Sequence, residues 1–157
     1  MARLSAGERA PDFTLTDQNG KSFHLAASLK KHKSPHLVYF YPKADTPGCT
    51  AQACGLRDVA DKLGRTVVVG ISPDPPDKQA KFDQKYSLGF PLLSDADHAV
   101  AEAYGVWGER SLYGRKFMGI IRSAFLVGAD GRVQEAWYKI APADTPKKLL
   151  AALGSAP

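Results

Sequence analysis

Cysteine is nearly absent: Cys49 and Cys54 are the only two in 157 residues. Two are too few for the disulfide framework that staples a small secreted chain. They are also too few for a thiolate zinc site, and His24, His32, His36 and His98 lie nowhere near ligand spacing. Long apolar runs are missing as well. The longest, Leu37–Tyr41 and Val67–Ile71, fall far short of the roughly 20 residues that span a bilayer. Met1 to Asp12 lacks the apolar stretch of a signal peptide. A cytoplasmic chain with no membrane association is therefore expected, and in that reducing compartment a lasting structural disulfide would be unusual. Neither sign of charge dominates. The 21 basic and 16 acidic residues leave a net +5, which permits anionic partners without demanding them. With 44% apolar and 24% charged residues the composition is globular, and the length fits a single domain spanning residues 1–157.

What is present alternates. Asp12–Thr16 and Ser22–Leu25 flank the turn signal Asp17-Gln18-Asn19-Gly20 and read as an N-terminal β-hairpin. Lys30–Pro35 reads as a charged loop, and His36–Tyr41 as a buried strand ended by Pro42. A polar loop then leads into a helix from about Cys49 to Leu63, closed by Gly64. Thr66–Ser72 is a second buried strand. Asp74 is the expected N-cap of a helix carrying Phe82 and Tyr86 on its buried side. Phe90–Leu93 is a short strand candidate, Asp97–Tyr104 a short helix, and Val106–Lys116 a loop. Ser123–Val127 and Arg132–Tyr138 form a second hairpin about Ala129-Asp130-Gly131, and Thr145-Pro146 opens a last helix to about Leu153. This order implies an α/β fold with a mixed sheet and helices on both faces.

The chemistry concentrates in Tyr39–Asp58. A buried strand and a short loop deliver Cys49 to a helix start, where unpaired backbone N–H groups and the dipole favour an anion and so a reactive thiolate. Thr46 is near enough for its hydroxyl to reach the sulfur or a bound substrate oxygen, and Pro42 could shield one side. On the helical wheel Cys49 shares the core-facing stripe with Leu56, Val59, Ala60 and Leu63. Cys54 falls with Asp58 and Asp61 on the polar face. Five residues along an ideal helix separate the two Cα atoms by about 8.7 Å, whereas a disulfide needs roughly 7 Å or less. If the two are redox partners, the helix start must unwind. Gly55 would ease that by about 1 kcal/mol relative to Ala. The plainer reading of a free cysteine is a small buried hydrophobe. It suits Cys49 tolerably and Cys54 poorly.

The segment resembles the active-site motif of peroxiredoxins, P-x-x-x-T-x-x-C, here Pro42, Thr46 and Cys49. The string YPKADTPGCTAQACGLRD is similar to the bacterioferritin-comigratory-protein, or peroxiredoxin Q, branch. Supporting strings follow in order: GERAPDFTLTDQNGK, VVVGISPD, FPLLSDADHAVAEAYGVWGER and GIIRSAFLVGADGRV. Only Lys139–Lys148 follows the pattern less closely. The resemblance implies a thioredoxin-like fold and a thiol peroxidase needing no metal or organic cofactor. It implies Cys49 as the peroxidatic cysteine, which becomes a sulfenic acid on reaction, and Cys54 as the resolving cysteine. Their intramolecular disulfide would be reduced by thioredoxin or a similar dithiol. Thr46 would hydrogen-bond thiolate and peroxide, Pro42 would cover the sulfur, and the protein would be a monomer. Arg122 matches the family's active-site arginine. It interrupts the apolar run Met118–Val127, where a lone guanidinium would be costly, so an anionic partner is expected. An ordinary salt bridge to a loop carboxylate is the alternative.

Two other functions compete. A thioredoxin-type disulfide reductase would suit the fold, but four residues separate the cysteines where that chemistry uses two. A nucleic-acid-binding protein is suggested by the net charge and by Lys30–Lys33, with no recognised binding motif behind it. Trp107 and Trp137 read as core or rim aromatics, and His98 as a surface helix residue.

Overall fold

His36–Phe40 (β3) has no exposed side chain, so both of its faces must be covered. In the computed structural model, which describes residues 3–154, it pairs in parallel with β4 (Val67–Ser72) and antiparallel with β8 (Ser123–Val127). Beyond β4 come β5 (Leu92–Ser94), β1 (Thr14–Thr16) and β2 (Ser22–His24), and beyond β8 comes β9 (Val133–Trp137). The order β2-β1-β5-β4-β3-β8-β9 makes a seven-stranded mixed sheet with the N-terminal hairpin at one edge. This is the α/β, thioredoxin-like architecture that the resemblance implies.

Alternation along the strands divides the core in two. Val38, Phe40, Val69, Ile71, Phe125 and Val127 face α1 (Leu25–His32) and α4 (Ala99–Ala103). Leu37, Tyr39, Tyr41, Val68, Ala124 and Leu126 face the other way, toward α2 (Pro47–Asp58), α3 (Pro76–Tyr86) and α5 (Asp144–Gly154). Cys49, Ala53 and Leu56 of α2 lie in this second layer, so the helix that carries both cysteines is held against the sheet by apolar burial. Among the described residues no helix is long and apolar enough to cross a membrane.

Several local expectations need correction. The cysteine helix starts two residues early, because Pro47 suits a first turn that has no use for its missing N–H. It also stops at Asp58, and a 3-10 turn, Ala60–Lys62, follows. Leu63 still reaches the core from beyond that turn. Residues 106–116 are no loop: β6 (Trp107–Leu112) and β7 (Arg115–Ile120) pair as a separate hairpin. Its tight turn puts positive φ at Tyr113 and Gly114, where Asn-Gly or Asp-Gly is the usual signal. Lys30–His32 belong to α1, where basic side chains suit the negative end of the dipole. Asp74 caps nothing. Pro75 takes the N-cap place, and the Asp74 carboxylate accepts from the Ser72 hydroxyl and the Ala44 N–H. His98 is half-buried, with its ring stacked 3.8 Å from that of Trp107.

Candidate active site

The loop between β3 and α2 is held from outside itself. Pro42, half-buried, ends the strand run because it has no N–H to give a neighbouring strand. The Ala44 N–H donates to Asp74 at 2.7 Å. Asp45 sits in the left-handed region at φ 57. Its carboxylate pairs with Lys85 at 3.0 Å and accepts from the Tyr86 hydroxyl at 3.0 Å, tying the loop to α3. The bond from Lys85, then that from Tyr86, holds the Asp45 carboxyl below its ordinary pKa. Thr46 is the extended N-cap residue of α2.

Cys49 is the third residue of α2 and is 1% exposed. The first-turn amides and the helix dipole lie beside its sulfur. Arg122, between β7 and β8, supplies the second positive group: its Nη2 donates to Cys49 Sγ at 3.3 Å. Its backbone is pinned on both sides, since Ile121 N–H donates to Val106 O and Ile140 N–H donates to Arg122 O. The other guanidinium arm, Nη1, donates to Gln52 Oε1 at 2.7 Å. Among the described residues no carboxylate pairs with Arg122. The cation in the apolar run is therefore answered by a sulfur and an amide oxygen, and not by a loop carboxylate.

Thr46 departs from expectation. Its hydroxyl donates to Lys43 O at 2.8 Å rather than to the sulfur. A hydroxyl has one proton, and the loop carbonyl takes it, so toward the site Oγ1 offers lone pairs only. Cys54 is also placed differently: it is half-buried and packs on the same apolar cluster as Cys49. The helical wheel puts it on a polar face, because tertiary packing of the cluster around α2 is not visible from helix periodicity alone. The two thiols are free and stand in one continuous helix. The spacing of about 8.7 Å expected of that geometry forbids a bond between them until the helix opens.

Three further residues build the site. Gln52 is fully buried one turn after Cys49, a spacing that puts both on one face; this was the only sequence signal for it. Thr145 accepts from Gln52 Nε2 at 2.9 Å across 93 residues of chain, with no local signal at all. Gly48 makes room for the guanidinium. A cleft of about 340 Å³ bounded by Arg110, Ile121, Lys139 and Ile140 opens onto Arg122. That volume falls in the range of small-molecule sites, roughly 300–1,000 Å³. Among the described residues no group of three or more His, Cys, Asp or Glu could hold a metal ion.

Comparison with known proteins gives one consistent result. The AhpC/TSA family matches residues 6–136. Peroxiredoxin Bcp of Escherichia coli (strain K12) is 49% identical over 139 residues, 87% of each chain. Among solved structures, peroxidoxin BcpB from Mycobacterium tuberculosis superposes with a TM-score of 0.86 at 37% identity, covering 99% of both chains. The bacterioferritin comigratory protein of Xanthomonas campestris, solved for insight into its alkyl peroxide reduction activity, gives 0.86 at 31% identity over 96% of this chain and 98% of that one. A chain matched by this family over most of its length, and 49% identical to a Bcp relative, belongs to the AhpC/TSA family, alongside the Bcp and peroxiredoxin Q proteins.

Proposed function

We propose that the chain is a thiol-dependent peroxidase of hydrogen peroxide and organic hydroperoxides, with Cys49 as the attacking thiolate. One observation carries the reading: a guanidinium nitrogen lies 3.3 Å from a buried sulfur in the first turn of a helix. The helix start and the guanidinium both bring positive charge to the sulfur, and Arg122 has further N–H groups that can donate to a peroxide oxygen. The sulfur attacks the terminal oxygen, the O–O bond breaks, and the leaving alkoxide or hydroxide takes a proton to depart as alcohol or water. Cys49 is left as a sulfenic acid. Thr46 Oγ1, with its own proton on Lys43 O, accepts from the hydroperoxide O–H. Pro42 limits access to the sulfur.

Cys54 then attacks the sulfenic sulfur once the start of α2 has opened, forming the Cys49–Cys54 disulfide and releasing water. Thioredoxin or a similar dithiol restores both thiols by exchange, itself becoming the disulfide. The X. campestris relative supports an alkyl hydroperoxide as one substrate. We assign the working form to a cytoplasmic monomer of one domain.

The test follows peroxide consumption with thioredoxin as electron donor. Cys49→Ser should abolish it. Cys54→Ser should allow one turnover and then stall. Full activity in Cys49→Ser would overturn the assignment. Peptide mapping after one equivalent of peroxide should find Cys49 joined to Cys54; a sulfinylated Cys49 with free Cys54 would remove the resolving role.

A further inference from the structure

We propose that Thr145 is a positioning residue of the peroxidase site: it sets the polarity of the Gln52 side-chain amide, so that the oxygen end faces Arg122. The inference rests on the reading of Cys49 and Arg122 given above and adds a residue far from both in sequence.

A primary amide has two ends of nearly equal size and opposite chemistry. Oε1 accepts hydrogen bonds, Nε2 donates them, and a half-turn exchanges the two. A guanidinium has donors only, so one orientation of Gln52 supports Arg122 and the other repels it. Gln52 is wholly buried, which leaves the choice to its protein neighbours and not to bulk water.

The neighbour that decides is Thr145, itself fully buried. Its single hydroxyl proton goes to Ala141 O, 3.2 Å away. What remains for Gln52 is a lone pair, so Thr145 can only accept, and it takes the Nε2 proton at 2.9 Å. The amide is thereby turned with Oε1 toward Arg122 Nη1 at 2.7 Å, and Nη2 of the same plane reaches Cys49 Sγ at 3.3 Å. Every link in this chain has one allowed direction. The direction is fixed from both ends, by a guanidinium that can only donate and by a backbone carbonyl that can never donate. The frame is firm, because α5 packs against α2 and Pro146 lies over Gly55, where even a Cβ would come within 3.1 Å. Valine at position 145 would keep the shape and lose the acceptor. Nε2 would then be a buried donor without a partner, and only the guanidinium would still hold Oε1 in place.

The experiment uses the full-length reduced protein and two reagents. Hydrogen peroxide needs the sulfur nucleophile and also the Arg122 donors on its oxygens; iodoacetamide needs the nucleophile alone. Thr145→Val should slow Cys49 oxidation by peroxide by roughly tenfold, the scale of one misplaced charge-assisted hydrogen bond. Alkylation should slow clearly less. Thr145→Ser, which retains the hydroxyl, should restore the peroxide rate.

The decisive comparison is made in Gln52→Glu. A carboxylate accepts at both oxygens and has no polarity to set, so adding Thr145→Val there should slow the peroxide reaction clearly less than it does in the Gln52 chain. If Thr145→Val does not fold, Thr145→Ala carries the same comparison. Three results would overturn the proposal: a native peroxide rate in the valine and alanine variants, a serine variant as slow as valine, or an equal valine effect in the Gln52 and Gln52→Glu chains. Failure of the underlying reading looks different. There the parent protein itself, with threonine at 145, would show no peroxide reaction at Cys49.

Discussion

Gly48 leaves the space that the Arg122 guanidinium fills: a Cβ built there would lie 3.1 Å from Nη2 and 3.5 Å from Pro142 Cγ. The glycine is needed for the neighbouring side chain and not for its own backbone, since it sits in the first turn of α2 without a positive φ.

This separates activity from stability. Gly48→Ala should change the thermal midpoint little, because the helix advantage of alanine over glycine, roughly 0.5–1 kcal/mol, offsets the cost of shifting the guanidinium. The displaced guanidinium should lower the rate of Cys49 oxidation by peroxide by roughly three- to tenfold, the scale of about 1 kcal/mol lost from a charge-assisted contact. Stopped-flow oxidation and thermal unfolding of the same sample check both halves. An unchanged peroxide rate would show that Arg122 does not need this space.

Arg122 holds two partners at once with two nitrogens of one rigid plane. A lysine ammonium is a single point and cannot reproduce that fork. Arg122→Lys should therefore recover little of what Arg122→Leu loses. Both should lower kcat/KM for hydrogen peroxide by roughly tenfold to a hundredfold, as expected when a hydrogen bond from a charged group is removed. Steady-state kinetics with thioredoxin in excess measures this; a lysine variant near wild-type activity would reduce the role to that of a charge alone.

How legible all this was depends on how local each feature is. The strand, proline, loop and helix start that place Cys49 are contiguous, so the sequence alone shows the thiol at the positive end of a helix. Arg122 also announced itself, as a cation within an apolar run. Gln52 did not, because a glutamine in a helix is ordinary until Thr145 and Arg122 arrive from elsewhere in the chain. The 107–120 hairpin stayed hidden for another reason: Tyr113 occupies a left-handed turn position usually marked by Asn or Asp. Thr46 stands out in the motif, but only the folded loop reveals that Lys43 O takes its proton.

Gly55 bears on the opening of α2 in two opposed ways. Alanine there would favour the helix by about 1 kcal/mol, yet its Cβ would press on Pro146 Cγ at 3.1 Å and disturb the packing of α5. Pro146→Ala removes the obstruction and leaves propensity alone. Gly55→Ala added to Pro146→Ala should slow formation of the Cys49–Cys54 disulfide by roughly fivefold, as the helix must melt first. The sulfenic acid then survives to meet a second peroxide, and mass spectrometry should find more sulfinic acid on Cys49. Equal disulfide rates with and without the second substitution would mean that helix opening does not limit resolution.

The last prediction concerns pH and lies away from the thiols. His36 is fully buried at the start of β3. Nδ1 stands 3.1 Å from Ser34 O, a carbonyl that can only accept, so Nδ1 carries the proton. Nε2 is then the acceptor for the Ser28 hydroxyl at 2.7 Å, which fixes one neutral tautomer. Burial holds the imidazole pKa below its ordinary 6.5, and the nearby His32 adds to the depression, against backbone hydrogen bonds at Ser34 and Pro35 that oppose it. The sign follows from proton counting. As pH falls below the unfolded value, the unfolded chain takes up a proton that the native state refuses, and stability is lost. The slope from this one group can approach about 1.4 kcal/mol per pH unit until its folded pKa is reached. Urea midpoints taken from about pH 7.5 down to about pH 5 should therefore decline in the native sequence and decline less in His36→Gln. Parallel declines in the two proteins would assign the acid sensitivity to other groups. An opposite slope, with stability rising toward acid, would mean that the folded site favours the charged ring.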